Sequence, residues 1–225
     1  MLIIGLPDYV FMRIKWHGHA CFEVGTGDTT VVFDPHDGKS IGIRPPSVSA
    51  DLVLMSHDHY DHNAVRSVEG NYKSYMMKNG RFEFRNIPFY GFATFHDDDH
   101  GKKRGPNTMY RLTAEGITLC HCGDLGAIPD NKIINAIKEV DFLLVPVGGV
   151  YTMEKDVLRK FIEMVNPRVI IPMHYRIGGL TVPVADVDQF LEMIPEEYID
   201  YVGNSIDITK DELPEQKECW VFDRR

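Results

Sequence analysis

The chain has 225 residues, of which 44% are hydrophobic and 25% are charged, and its formal net charge is −9. These values are ordinary for a globular protein and exclude a disordered chain. The negative charge and the absence of a basic stripe disfavour a nucleic-acid-binding surface. No apolar run approaches the roughly 20 residues that span a bilayer. We therefore expect a cytoplasmic protein with no nucleic-acid or membrane partner.

Hydrophobic patterning predicts strands in the first half of the chain and alternating strands and helices after it. The predicted strands cover residues 11–16, 20–24, 30–33, 52–55, 81–87, 89–95, 109–113, 117–120, 141–147 and 168–173. Helices are predicted over residues 131–139, between a cap at Thr152 and a stop at Pro167, and over residues 184–193.

The two halves of the chain echo each other, because each begins with strands and ends in strand–loop–helix units. This organisation suggests two packed sheets with helices outside. No linker, low-complexity segment or clear repeat interrupts the sequence, so we expect one domain over residues 1–225. In layered folds that mix strands and helices, ligands gather at the loops that follow strand ends.

Four scattered cysteines do not form a disulfide framework, and a reducing compartment fits them. Cys120, His121 and Cys122 are adjacent, but a Cys-x-Cys motif without a second cysteine pair is a weak metal signal. In a strand the two thiols lie on one face, which favours buried core cysteines. The role of His121 stays open between a ligand, a support for a ligand and a core residue.

The stretch MSHDHYDHN, residues 55–63, follows a short apolar strand with three histidines and two aspartates within six positions. Clustered histidines repel when protonated, and clustered carboxylates repel when ionised. A bound cation removes both problems. His57 and His59 point to one side of a tight loop, while Asp61 and His62 continue toward a second point. This arrangement suits two metal ions better than one.

Further ligand candidates follow other apolar runs. They are His96, Asp124 and His174, each next to small or turn-forming residues. His100 lies close to His96 and competes with it for a ligand role. His96 is favoured because it directly follows its strand.

These residues carry a resemblance to a known family. The run from His57 to His62 has the His-x-His-x-Asp-His signature of the metallo-β-lactamase-fold hydrolases. The segments WHGHACF, Asp34-Pro35, PVGGVYTM and IPMHYR resemble a small branch similar to ascorbate-6-phosphate lactonase and N-acyl-phosphatidylethanolamine phospholipase D. The resemblance covers roughly residues 12–180. It implies an α/β, four-layer αββα sandwich, in which two mixed β-sheets pack face to face with helices outside.

The resemblance also implies a binuclear centre at one edge of this sandwich. Its expected ligands are His57, His59 and His96 for the first metal ion, Asp61, His62 and His174 for the second, and Asp124 as a bridge. We expect two divalent ions, zinc in the first place, with manganese, iron or nickel as alternatives, because mixed His/Asp sites accept all of them.

Several residues near these ligands have predicted roles. His19 matches the family's GHxxF opening and is expected to contact substrate or a ligand. Asp61 is expected to accept a proton from the nucleophile while remaining a ligand. Asp34 ends a strand and is placed to accept a hydrogen bond from a ligand imidazole, which fixes its tautomer. His17 is interpreted as structural, and His36 stays open between the cleft and a loop.

The resulting hypothesis is a metal-dependent hydrolase that uses a hydroxide bound by two metal ions. Its substrate would be a small ester, lactone, amide or phosphodiester. Arg104 and Arg176 suggest an anionic group on that substrate, although each is equally typical of a surface arginine. The alternatives are an RNA- or nucleotide-processing member, a non-catalytic member and a di-iron oxidoreductase. The negative charge, the complete ligand set and the lack of room for a flavin domain disfavour them.

The start and the assembly of the chain stay open. The family's opening strand begins near Met12, so residues 1–11 are either an N-terminal extension or the result of a mis-assigned start codon. The sequence does not determine the oligomeric state, and a homo-oligomer is compatible with the fold.

Overall fold

Two β-sheets dominate the computed structural model, which describes residues 11–223. The first sheet has the strand order β13-β1-β2-β3-β4-β5, in which β3, β4 and β5 are parallel and the other pairs are antiparallel. Its strands are β1 (Met12–Gly18), β2 (Cys21–Thr26), β3 (Thr29–Phe33), β4 (Leu52–Met55), β5 (Lys73–Met76) and β13 (Ser205–Ile208).

The second sheet is also mixed, with the order β12-β14-β11-β10-β9-β8-β7-β6. The strands from β9 to β12 in this order run parallel, and β6 to β9 form an antiparallel meander. Its strands are β6 (Gly80–Phe84), β7 (Ile87–Phe95), β8 (Pro106–Ala114), β9 (Ile117–His121), β10 (Phe142–Pro146), β11 (Val169–Met173), β12 (Ile199–Tyr201) and β14 (Glu218–Val221).

The main core lies between the two sheets, as predicted for a face-to-face sandwich. Side chains alternate across each strand, so Val31 and Phe33 of β3 enter this core while Val32 points to the opposite face. Phe33 contacts Tyr110 of β8 across the interface, with ring centroids 6.4 Å apart. The prediction of two mixed sheets packed face to face is confirmed.

Three α-helices are found among residues 11–223: α1 (Asn131–Ile137), α2 (Lys155–Val165) and α3 (Asp188–Leu191). Helix α2 buries the apolar stripe Leu158, Phe161, Ile162 and Val165 in a cluster that is continuous with this core. The outer face of the first sheet is covered differently, by the segment that holds residues 48–50 and by a 3-10 turn at Val65–Ser67. Residues 35–46 contain three prolines and two glycines, which disfavour an α-helix there.

Two predicted helix boundaries are wrong. Thr152 does not cap α2, because its hydroxyl lies against the carbonyl of Gly149 and the N-cap position belongs to Glu154. The last helix shrinks from residues 184–193 to Asp188–Leu191. The backbone N–H of Ala185 donates instead to the Gly148 carbonyl, and its carbonyl accepts the Arg176 N–H. These bonds hold the start of the predicted helix in a loop.

Four short strands were not predicted, namely β5, β12, β13 and β14. They lie at or near sheet edges, where one side of a strand meets solvent and the hydrophobic signal is weak. The prediction that Cys120 and Cys122 are buried core cysteines is confirmed, and Cys21 and Cys219 are buried as well. No helix between residues 11 and 223 is long and apolar enough to cross a membrane. The single domain over residues 1–225 stays a prediction, and the question of an N-terminal extension falls largely on residues 1–10, outside the described part.

Candidate metal centre

Four strand ends deliver polar side chains to the same edge of the sandwich. His57 follows β4, His96 follows β7, Asp124 follows β9 after a short turn, and His174 follows β11. Each preceding strand is anchored by apolar residues in the core, so each side chain begins from a fixed backbone position. All four residues are buried. The structure therefore brings together residues from distant parts of the chain, as the sequence predicted.

Asp124 is the centre of this cluster. Its Oδ2 atom lies 3.1 Å from His174 Nε2 and 3.2 Å from His96 Nε2. The same oxygen lies 3.3 Å from His62 Nε2 and 3.8 Å from His57 Nε2. One carboxylate oxygen thus faces four imidazoles, which come from three separate segments of the chain.

Two groups of side chains lie around Asp124. Within each group, the potential ligand atoms lie within 4.8 Å of one another. Asp124 contacts two imidazoles of each group, so it lies between them. The first group is His57, His59 and His96, and the second is His19, Asp61, His62 and His174.

Unsatisfied polar atoms show that this cluster fits a bound cation. The Nε2 atoms of His57 and His62 and the Oδ1 atom of Asp124 are buried and form no hydrogen bond within residues 11–223. A buried polar atom without a partner is costly, whereas imidazole nitrogens and carboxylate oxygens are natural ligands of divalent ions. Burial lowers the pKa of His57 to about 3, which keeps this imidazole in the neutral form that binds metal.

Charge balance supports the same fit. Burial alone disfavours a charge on His62, but Asp124 and Asp61 outweigh it and raise the pKa of this imidazole well above its usual value. Burial likewise opposes ionisation of Asp124, yet His174 and His62 lower its pKa well below the usual range. The buried carboxylates therefore favour a positive charge beside them. A proton on His62 supplies this charge in the metal-free chain, and bound divalent ions would supply it instead and leave the imidazole neutral.

Asp34 orients two of the imidazoles, as predicted for a carboxylate at a strand end. Its Oδ2 accepts hydrogen bonds from His62 Nδ1 at 3.0 Å and from Ser56 Oγ at 2.6 Å, and its Oδ1 accepts one from the Ser56 N–H at 2.7 Å. Because the Ser56 hydroxyl donates to Asp34, it accepts from His57 Nδ1, at 2.8 Å. Both histidines then carry their proton on Nδ1 and present Nε2 to Asp124.

His19 lies behind the cluster and not in the cleft. It is fully buried, and its Nε2 donates to Asp61 Oδ2 at 3.0 Å. Its ring lies 4.1 Å from that of His174, and its carbonyl accepts the His174 N–H. Burial, reinforced by His174, lowers the pKa of His19 to about 3. A contact with substrate is therefore incompatible with its position, while a contact with the ligand candidate Asp61 is observed.

The remaining histidines lie either in the ligand cluster or outside it. His96 joins the cluster, whereas His100 is exposed and packs on Phe95. His17 bonds to Glu23 at 2.8 Å, consistent with a structural role. His121 donates from Nε2 to the Ala20 carbonyl and stacks on Phe33, so it belongs to the core beneath the site. His36 is buried and contacts the carbonyl of His17.

A cleft of about 320 Å³ opens beside the ligand candidates. Tyr60 is 59% exposed and lines the cleft. Arg104 also lines the cleft, whereas Arg176 pairs with Asp186 and does not. The remaining lining is His59, Asp61, His96, Asp124, Tyr151, His174, Val182 and Pro183.

Two positioning residues were missed by the sequence analysis. Ser56 connects His57 to Asp34, and its place directly before the histidine motif was an available signal. Asn107 accepts the N–H of Asp124 at 3.0 Å and donates to the carbonyl of Cys122. No sequence feature marks Asn107, because its role depends on the pairing of β8 with β9.

Gly148 supports His174 by its lack of a side chain. A Cβ atom at Gly148 would lie 2.2 Å from the His174 carbonyl oxygen. Gly148→Ala is therefore expected to displace this loop, lower the free energy of unfolding by about 1–3 kcal/mol and weaken metal binding by about tenfold or more. Denaturant titration and a metal-competition assay measure the two effects. Gly178→Ala is the matched control, since a Cβ there meets nothing within 4 Å. Equal behaviour of the two variants would contradict the prediction.

Comparison with known proteins identifies the class. Residues 13–174 match the family model of the beta-lactamase superfamily domain. A protein described as a Zn-dependent hydrolase of the metallo-β-lactamase superfamily, from Thermotoga maritima, has a similar solved structure. Its TM-score is 0.77 at 34% identity, and the match covers 94% of this chain and 98% of that chain. Fold and site together define a metal-dependent hydrolase of the metallo-β-lactamase superfamily.

Two further relatives narrow the family. A UPF0173 metal-dependent hydrolase from Carboxydothermus hydrogenoformans is 34% identical over 209 residues, which cover 80% of this chain and 90% of the relative. Another from Thermoplasma acidophilum is 28% identical over 187 residues, covering 73% and 83%. The chain belongs to the UPF0173 metal-dependent hydrolases.

Proposed function

We propose that this hydrolase binds two divalent metal ions and cleaves a small ester, lactone, amide or phosphodiester in the cleft beside them. Zinc is the first expectation for both ions, with manganese, iron or nickel as alternatives. The proposed ligands are His57, His59 and His96 for one ion and Asp61, His62 and His174 for the other, with Asp124 shared.

The position of Asp124 carries this proposal. Its Oδ2 contacts His57 and His96 of one group and His62 and His174 of the other. A carboxylate that meets two imidazoles from each of two groups has the placement expected of a bridging ligand. A single-ion site would need only one group. The buried ring nitrogens of the other group would then stay without a partner, which is energetically costly.

The chain's own residues supply the remaining requirements of hydrolysis. When bound, divalent ions lower the pKa of water toward neutrality and polarise the bond to be cleaved. Asp61 lies at the edge of the cleft, and its Oδ2 is held by His19. In this proposal its other oxygen, Oδ1, would accept a proton during the reaction. Val182 and Pro183 give the cleft an apolar wall, which reduces the access of bulk water to the reacting groups.

Metal removal and reconstitution test the proposal. The protein is stripped with a chelator and reloaded separately with Zn²⁺, Mn²⁺, Fe²⁺ or Ni²⁺, and bound metal per chain is measured alongside hydrolysis of an aryl ester, a lactone, an amide and an aryl phosphodiester. We expect two ions per chain, recovered activity on at least one substrate, and about 2.7 kcal/mol of added stability for each bound ion when free metal is 100 times its Kd.

His100→Gln is the matched control, because this histidine is exposed and outside the cluster. It should retain two ions and full activity. A protein that is fully active with one ion per chain would contradict the shared-ligand assignment. Iron-dependent oxygen consumption or RNA cleavage, without hydrolysis of any small substrate, would favour the alternative functions.

A further inference from the structure

The cleft wall contains residues that the metal ligands do not explain. Beside the ligand candidates stand Arg104, Tyr60, Tyr151, Val182 and Pro183. A volume of about 320 Å³ suits a small molecule. Arg104 brings a positive charge to this lining. Its surroundings therefore bear on which substrates the cleft accepts.

The guanidinium of Arg104 contacts neighbouring residues, but no carboxylate among residues 11–223 pairs with its charge. It lies over the ring of Tyr151, with its central carbon 5.3 Å from the ring centroid, and it donates one hydrogen bond to the Val150 carbonyl at 3.2 Å. Within residues 11–223 it forms no ion pair. Other arginines, such as Arg13 and Arg176, are paired with aspartates. Arg104 therefore keeps hydrogen-bond donors available beside the cleft.

The loop that carries Arg104 is fixed to the candidate metal centre. Asp97 directly follows His96, and its carboxylate accepts backbone N–H groups from Asp99, Gly101, Lys103 and Arg104 at 2.8–3.0 Å. Asp97 is itself buried. These bonds set the backbone of Arg104 relative to His96. A cation that is already oriented loses less conformational entropy when it binds a ligand.

From this arrangement we infer that Arg104, stacked on Tyr151, binds a carboxylate or phosphate group of the substrate while the bond to be cleaved lies against the ligand cluster. The planar guanidinium can meet two oxygens of either group at once. The substrate class is thus a small ester, lactone, amide or phosphodiester that carries a separate anionic group. This inference rests on the proposed function.

Matched substrates test the inference. The metal-loaded protein is assayed with an aryl ester bearing a remote carboxylate, with one bearing a remote phosphate and with the neutral methyl ester of the first. Arg104→Gln is expected to lower kcat/KM for at least one anionic ester by roughly 10–100-fold, mainly through KM, and to change the neutral ester by less than about threefold. Arg104→Lys should give a kcat/KM for the anionic ester between those of the wild type and Arg104→Gln. Lysine keeps the positive charge but cannot donate two parallel hydrogen bonds as the guanidinium does.

Lys102→Gln is the matched control, since it removes the same charge from the same loop. The Lys102 side chain is 72% exposed and pairs with Asp99, so all three esters should be cleaved as by the wild type. Which anionic ester responds to Arg104→Gln distinguishes carboxylate from phosphate recognition.

Three outcomes would count against the inference. An equal fall for anionic and neutral esters would assign Arg104 to holding the loop through Val150. Unchanged selectivity would remove it from recognition altogether. If the wild type cleaves none of the esters, calorimetric titration with benzoate and phenyl phosphate decides the inference, since equal affinity of the wild type and Arg104→Gln would overturn it. The proposed function is decided separately, by the four substrate types of the reconstitution experiment.

Discussion

Asp124→Asn is expected to lower kcat/KM by at least about 100-fold and to reduce bound metal below two ions per chain. Supporting residues around a metal typically cost 10–100-fold when changed, and Asp124 contacts four imidazoles directly. Asparagine keeps the size of the side chain but removes the charge that both groups share. Steady-state kinetics after reconstitution, together with elemental analysis of the purified variant, measure the two effects.

The control for this change is Asp98→Asn, which also removes one aspartate charge. The Asp98 side chain is 76% exposed and pairs with Lys103 outside the cleft. It should retain both ions and wild-type activity. If Asp124→Asn also retains both, Asp124 does not bridge the site, and the two groups of ligand candidates must be satisfied independently.

Asp34→Asn is expected to weaken metal binding by about 10–100-fold and to lower the free energy of unfolding by about 1–3 kcal/mol. Asp34 accepts from His62 directly and holds His57 through Ser56. An amide retains one acceptor oxygen, so one of these contacts must meet an N–H group and lose its bond. The loss allows the imidazoles to adopt the wrong tautomer for coordination. Competition with a chelating dye and denaturant titration of the metal-free chain measure the two quantities separately.

Ser56→Ala separates the two branches of this network. It removes the link to His57 and leaves the bond between Asp34 and His62, so we expect a smaller loss of affinity than with Asp34→Asn. If Ser56→Ala binds metal more weakly than Asp34→Asn does, Asp34 contributes mainly to the stability of the fold and less to metal affinity. Unchanged affinity in both would mean that these hydrogen bonds do not orient the ligands.

Local sequence was sufficient for the core of the site. His57, His59, Asp61 and His62 lie within one loop after β4, so their spacing alone placed them near one another. Asp124 and His174 were accessible for a related reason, since each follows an apolar run that could be recognised as a strand. The strand β4 itself was predicted with its observed bounds, because four consecutive buried residues give a strong signal.

Long-range packing decided the other features. The sequence favoured His96 over His100 because His96 directly follows its strand, and the structure adds that the tight loop around Asp97 leaves His100 exposed. The sequence motif around His19 suggested a contact with substrate or ligand, and only the packing of the β1–β2 turn against His174 showed that it lies behind Asp61.

The sequence by itself indicated the kinds of side chains at the strand ends and two packed sheets, and its histidine motif carried the resemblance to the metallo-β-lactamase superfamily. These depend on residue order and on hydrophobic patterning along short segments, which are local properties of the chain. The tertiary structure decided that Asp124 lies between two imidazole groups, that Asp34 and Ser56 orient the imidazoles of His57 and His62, and that Arg104 faces the cleft. Each of these facts joins residues far apart in sequence, and only the pairing of strands and the packing of loops sets such distances.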